Sequence, residues 1–450
     1  MNLDFDYAWL APARGVRTPS HRETMANFRL SVADRVLTAN RSISADAELE
    51  EPRDSVQVSL FPLAEFIAAN WWALLYEPQK TPTDVQAYSG RHQIVRHRDG
   101  FAYPDVAFYG ADSRVLVMAS ASRIVSAGIE FFTELSGTEQ NTLDRNRTEQ
   151  VLLSFLGAVL DRLSDDDDRD WLAEKLEGIR HSKNDPNENE YCTLAGMLGA
   201  DPYDEGDALE LAITTVRTTL GSALAREVFA TSELSSVIDR AQSIKSVADR
   251  AISKSRLVAQ HVEGLKKSFA TRIGKASPGG FSSSWERGYV AANELRRVLA
   301  LDGDRPLPTD DLLQTKLFGG ELSDGARIAD WAALGARGIG VDDSRGFGIA
   351  IDTSSRMHPR FQLAATFGDY LFCGDGDIFL STGASTDRQK TNRAFAAEFL
   401  APIDAIKVRL AGGRATPDQL RQLAGHFGVS PTTIRYQIIN QLPELLPIAV

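Results

Sequence analysis

Residues 360–372 read RFQLAATFGDYLF, and the reading of this stretch decides the fold of the C-terminal third of the chain. Arg360, Phe361, Leu363, Ala364, Phe367, Gly368, Tyr370, Leu371 and Phe372 form the packing frame of a helix that sits in a core. Positions 365 and 369 are four apart, so they stand one turn apart on the same helix face. Between the frame positions stand Ala365, Thr366 and Asp369: a methyl, a hydroxyl and a carboxylate.

The rest of the chain bounds what that helix can belong to. A chain of 450 residues exceeds one core and implies two to four domains. Hydrophobic residues make up 43% and charged residues 24%, enough for a sizeable interior in an ordinary globular protein. The net charge of −12 repels nucleic acid and anionic membrane, so a nucleic-acid contact would need a local basic patch. Cys192 and Cys373 are the only cysteines, which fits a reducing cytoplasm and excludes a disulfide scaffold or a four-cysteine zinc site. MNLDFDYAWLAPARG has acids where a signal peptide starts with bases, and no window approaches about 18 uncharged apolar residues. A soluble, cytoplasmic protein without a membrane segment is expected.

The periodicities predict an α+β protein. Residues 1–138 mix strand and helix signals: SVQVSLF (55–61) alternates as a strand does, and a helix over 62–78 follows, opened by Pro62 and closed by Pro78. Trp71 and Trp72 on that helix read as core rather than as an aromatic binding platform. Residues 139–275 turn helical, with 148–163 and 207–229 as amphipathic helices and 232–275 as one long helix or a broken pair. DDDD at 165–168 lacks the alternating ligands of a calcium loop and reads as a solvated loop or helix start. Within 241–275 eight bases meet two acids, which predicts internal charge pairing or a solvated face. Residues 276–284, ASPGGFSSS, read as a linker. Residues 285–450 then form the last domain, mostly helical. Short strands are predicted at 338–352, with Gly at the turns, and near 377–381, and one helix across 391–410.

Four pieces of that last domain, in order, carry a resemblance: WERGYVAANELRRVLAL (285–301), RFQLAATFGDYLF (360–372), NRAFAAEFLAP (392–402) and LRQLAGHFGVSPTTIRYQIIN (420–440). Together they resemble the ImmA/IrrE family of metallopeptidase-like proteins (DUF955), over roughly the C-terminal third of the chain. The resemblance implies a zincin-like domain with a helix reading R-F-x-L-A-H-E-x-G-H-Y-L-F. Its two His, four apart, would hold one zinc ion, its Glu would activate the metal-bound water, and a Glu from the next helix would complete the site. Here the first His position is Ala365, the Glu position is Thr366, the second His position is Asp369 and the third-ligand position is Gln389. None of the seven His (His21, His92, His97, His181, His261, His358, His426) pairs with another at helical i, i+4 spacing to replace them. The packing is kept and the ligands are absent, which describes a pseudoenzyme with no metal or cofactor.

The last segment, 403–441, reads as a helix-turn-helix-like pair, with Thr416 and Ser430 as N-caps, Gly428 in the turn and Ile434 on the second helix. If it read DNA, Thr432, Thr433, Arg435 and Gln437 would be the contacts. The resemblance implies instead that such a pair packs on the domain's own core. The expected function is protein binding by an inactive ImmA/IrrE-like protein. Its setting would be regulatory, antitoxin-like or related to phage defence in a bacterium, with a toxin, repressor or other neighbouring gene product as partner. The alternatives are a DNA-binding regulator and a divergent zinc metallopeptidase.

Overall fold

The computed structural model describes residues 2–445 apart from 13–14, 17, 44–51, 137–141, 165–166, 205, 253–255, 277–283, 302–304, 308–309, 321–330, 354–358, 373–377 and 412. The linker reading, apart from residues 276 and 284, lies outside the described residues, as do Asp165, Asp166, His358 and Cys373. The fold is α+β: small antiparallel sheets covered by many helices. The chain divides into two compact units, Met1–Ile213 and Thr214–Val450. The helices expected over 139–275 are shared between them rather than forming a region of their own. No helix among the described residues is long and apolar enough to cross a membrane.

In the first unit the strand Met25–Val32 is flanked by Leu3–Trp9 and Val56–Ser59. Leu3–Trp9 alternates in burial as its sequence alternates, which is the mark of a sheet with one covered face. The helix expected over 62–78 is two helices, Phe61–Ala69 and Trp71–Tyr76. They part at Asn70, whose side-chain Nδ2 donates to the Phe66 carbonyl at 2.9 Å and so competes with the backbone ladder. Trp71 and Trp72 are buried. Helix Pro186–Leu198 approaches so closely that a Cβ at Gly196 would lie 2.5 Å from the Trp72 carbonyl oxygen. Asp167 and Asp168 of the acid run open the helix Asp167–Asn184, where carboxylates meet the positive end of the helix dipole.

The second unit is built on a three-stranded antiparallel sheet in the order Gly346–Ile351, Ala336–Asp343, Ile378–Thr382. Ile378–Thr382 is thus an edge strand. The motif helix Pro359–Phe372 lies on this sheet, and the pairing helix Asp387–Leu400 packs beside it. Helix Ser284–Val298 presses on the pairing helix where Gly288 lacks a side chain; a Cβ there would overlap the Thr391 carbonyl. Three expectations change here. The helix across 391–410 stops at Leu400 and restarts at Ile403, because Pro402 lacks the N–H that would continue the ladder. The helix over 207–229 divides at Gly221, which takes a left-handed φ of 81°.

The third change concerns glycine. Of the glycines in 338–352, only Gly346 serves a turn, closing the hairpin opposite Asp343. Gly338, Gly340 and Gly348 lie inside strands, and each admits a close neighbour: the Thr366 hydroxyl, the Phe379 ring and the Ala251 carbonyl. The basic stretch resolves into a broken pair of helices, Val237–Ala251 and Arg256–Ala276. Three of its bases find partners within the second unit. Lys245 donates to Asp249 at 2.9 Å, Lys267 to Glu263 at 2.6 Å, and Lys266 stands 4.4 Å from the centre of the Tyr370 ring.

Candidate functional site

The four positions singled out by the resemblance come together in the second unit and are all buried: Ala365, Thr366, Asp369 and Gln389 are at most 1% exposed. Ala365 adds a methyl to the core. Thr366 donates its hydroxyl proton to the Gln362 carbonyl, 2.8 Å away and one turn back, and faces the bare Gly338 backbone. That contact leaves no volume for a larger side chain at 366.

Asp369 is engaged on every side. Arg388 grips it bidentately, Nε to Oδ1 and Nη2 to Oδ2, both at 2.7 Å. Asn392 donates to Oδ1 at 2.8 Å, and the Leu380 backbone N–H donates to Oδ2 at 2.7 Å. Paired, planar guanidinium–carboxylate geometry of this kind holds a charge in a dry site. Gln389 spans the same strand: its Nε2 donates to the Leu380 carbonyl and its Oε1 accepts from the Thr382 N–H, each at 2.9 Å. Its helix is capped by Thr386, which accepts from the Gln389 N–H.

In an antiparallel strand the N–H and C=O of one residue point to the same side. The Leu380 pair and the Thr382 N–H point away from the central strand, so they are the open edge of the sheet. Asp369 and Gln389 satisfy all three. An open edge invites another strand, and here it is closed by side chains. These positions therefore act as fasteners between two helices and an edge strand.

The residues present do not fit the zinc ion that the resemblance implies. A zinc site needs three or four N, S or O donors around one point. Ala365 has no donor, the Thr366 hydroxyl is bonded to the backbone, both Asp369 oxygens accept hydrogen bonds from Arg388, and Gln389 spends its amide on the strand. Arg388 and Asn392, which complete the arrangement, were missed from sequence. Arg388 follows Asp387 by one residue, and only the helix phase of 387–400 would have pointed it at position 369.

The closing pair forms as its caps predict. Thr416 caps helix Pro417–Phe427 in a reciprocal capping box with Gln419, Gly428 ends it at φ 65°, and Ser430 caps helix Pro431–Gln441. Of the four expected base contacts, Thr432 and Arg435 are exposed. Thr433 shares a 2.9 Å hydrogen bond with Ser430 at the cap. Gln437 corrects the expected set: it is 1% exposed and donates to Glu398 at 2.7 Å and to the Ala401 carbonyl at 3.0 Å. It points inward because Ile434 and Ile438 place that face of the helix on the core. Burial raises the pKa of Glu398 above the usual carboxylate range, against the hydrogen bonds from Gln441 and Gln437 that lower it. In the sequence Glu398 stands only as a letter of NRAFAAEFLAP; its role needs the partner helix in view.

Compared with protein-family models, with curated proteins and with solved structures, the chain matches none of them.

Proposed function

We propose that the second unit is an inactive, ImmA/IrrE-like peptidase frame and that the protein acts by binding a protein partner rather than by hydrolysis. The observation that carries this reading is the use of Asp369 and Gln389. The positions assigned to a second zinc ligand and a third are spent on Arg388, Asn392 and the edge of the sheet. A hydrolase needs a polarised water and a base, and the group at the base position donates its proton to a carbonyl. The setting that goes with the resemblance is regulatory, antitoxin-like or phage-defence-related, in a bacterial cytoplasm. The test is metal content of the purified chain, together with co-expression with the product of each adjacent gene. Substoichiometric zinc and a co-eluting neighbour support the reading. Stoichiometric zinc with chelator-sensitive cleavage of that neighbour overturns it in favour of a divergent metallopeptidase.

A second reading, a DNA-binding regulator, is favoured by the exposure of Thr432 and Arg435 near the start of helix Pro431–Gln441. Salt-dependent binding to the promoter of its own gene, weakened by Arg435→Ala, supports it; no binding at low salt overturns it.

A further inference from the structure

A cavity of ≈ 610 Å³ opens in the second unit beside the end of the motif helix. One wall is the start of helix Ser222–Phe229, whose first three residues and preceding Gly221 all line it. Gly221 has no side chain to cap that helix, and the Ser222 hydroxyl is turned to Arg217, whose Nε donates to it at 3.3 Å. The first backbone N–H groups of a helix have no partner within it and carry the positive end of its dipole. Arg287 also lines the cavity and adds a positive charge, lying 5.0 Å from the centre of the Phe372 ring.

Asn392, which is 1% exposed, also lines the cavity. Its amide orientation is set by Asp369, because only the NH₂ end can face a carboxylate. Its Oδ1 is therefore turned elsewhere, and it has no partner among the described residues. A buried acceptor left unpaired costs about 1–3 kcal/mol, so a ligand that brings a donor is favoured there. The two acids on the walls are already answered: Asp369 by Arg388 at 2.7 Å and Asp387 by Lys390 at 3.8 Å. Leu220, Phe372 and Ile378 supply apolar surface between the polar ends.

We propose that this cavity binds the C-terminal end of a peptide chain with an apolar last side chain. The terminal carboxylate meets the start of helix Ser222–Phe229 and Arg287. A peptide N–H donates to Asn392 Oδ1, and the apolar side chain lies on Leu220, Phe372 and Ile378. A chain end suits the site because its last residue brings a carboxylate, a peptide N–H and an apolar side chain together, whereas a chain interior needs a separate acidic residue for the anion. The inference rests on the protein-binding reading and names the part of the partner that is held. Because the edge strand is closed by Asp369 and Gln389, the partner is held by its end and not by adding a strand at Leu380.

The test is fluorescence anisotropy on the full chain with a fluorescein-labelled pentapeptide ending in Leu-Val. It is measured with a free carboxylate and as the C-terminal amide. The carboxylate form is expected to bind about tenfold more tightly. Ala223→Pro removes one N–H at a first-turn position where proline is accommodated, and is expected to weaken the acid several-fold while leaving thermal stability unchanged. Ala223→Trp, at an exposed position on the cavity rim, is expected to abolish binding. N-acetyl-leucine as competitor separates the sources of this chemistry. Competition as strong as that of the unlabelled peptide assigns the site to small N-acyl carboxylates and overturns the protein-terminus proposal. Equal affinity for acid and amide, or unchanged binding in both variants, also overturns it. A partner that still binds the Ala223→Trp chain would sink this site alone and leave the protein-binding reading standing. Stoichiometric zinc would sink that reading instead.

Discussion

The Asp369 carboxylate and the Arg388 guanidinium meet through two parallel hydrogen bonds of 2.7 Å, with Asp369 fully buried. The pair joins the motif helix to the pairing helix, and the same carboxylate reaches the edge strand through the Leu380 N–H. Removing one partner of a buried pair leaves an uncompensated charge. Asp369→Ala is expected to destabilise the second unit by about 3–5 kcal/mol, read by urea denaturation. The double variant Asp369→Ala/Arg388→Ala should lose less than the sum of the single losses. Additive losses would mean that the two side chains act independently.

Gly338 and Thr366 mark a close approach of the motif helix to the central strand. A Cβ at 338 would overlap the Thr366 hydroxyl oxygen. Gly338→Ala is expected to cost about 1–3 kcal/mol by overpacking. Adding Thr366→Ala removes the oxygen in the way and should recover much of that loss. The same crowding predicts that Thr366→Glu, made to rebuild a general base, destabilises the chain instead of creating activity; melting temperature and zinc uptake of that variant decide it.

Stability of the first unit should depend on pH through Glu77. Its side chain is fully buried, held by Arg91 at 2.8 and 2.9 Å and by His92 at 3.0 Å, with Lys80 at 3.1 Å. Burial alone would raise its pKa, but the hydrogen bonds from His92 and Arg91 and the Lys80 charge outweigh burial and bring it from 4.5 down to about 2. A folded pKa below the unfolded one means that the stabilisation is present above pH 4.5 and is lost as pH falls toward 2. The loss is worth roughly 3 kcal/mol. Unfolding of the wild type across that window should show it, and Glu77→Gln should flatten the slope while lowering stability at neutral pH.

Gln437 and Arg435 stand two residues apart on one helix and should behave oppositely. Gln437→Ala strips a donor from buried Glu398 and is expected to cost about 1–3 kcal/mol. Arg435→Ala, on the exposed face, should stay within about 0.5 kcal/mol. Equal stability losses would mean that the helix packs with a different face inward. Glu398, whose pKa is raised by burial, adds a pH signature of the other sign: its contribution is fullest at low pH and declines as pH rises through the raised value. Glu398→Gln should remove that decline.

Local order was legible from residue order alone. Thr416, Gly428 and Ser430 announce two helices and their turn, because caps act within four residues of chain. The frame of 360–372 announces a buried helix for the same reason: its spacing is a property of the segment. That 365, 366, 369 and 389 carry neither His nor Glu is likewise written in the letters.

What the side chains at these positions do could be decided only in three dimensions. Arg388, Asn392 and Leu380 are 11 to 23 residues from Asp369 along the chain, and they meet it only because the pairing helix and edge strand fold back onto the motif helix. The inward turn of Gln437 and the need for bare glycine at 338 have the same origin. A sequence specifies which faces are apolar and where helices start and stop, since those depend on neighbours in the chain. Which polar group answers which depends on packing between distant segments, and that is settled by the fold as a whole.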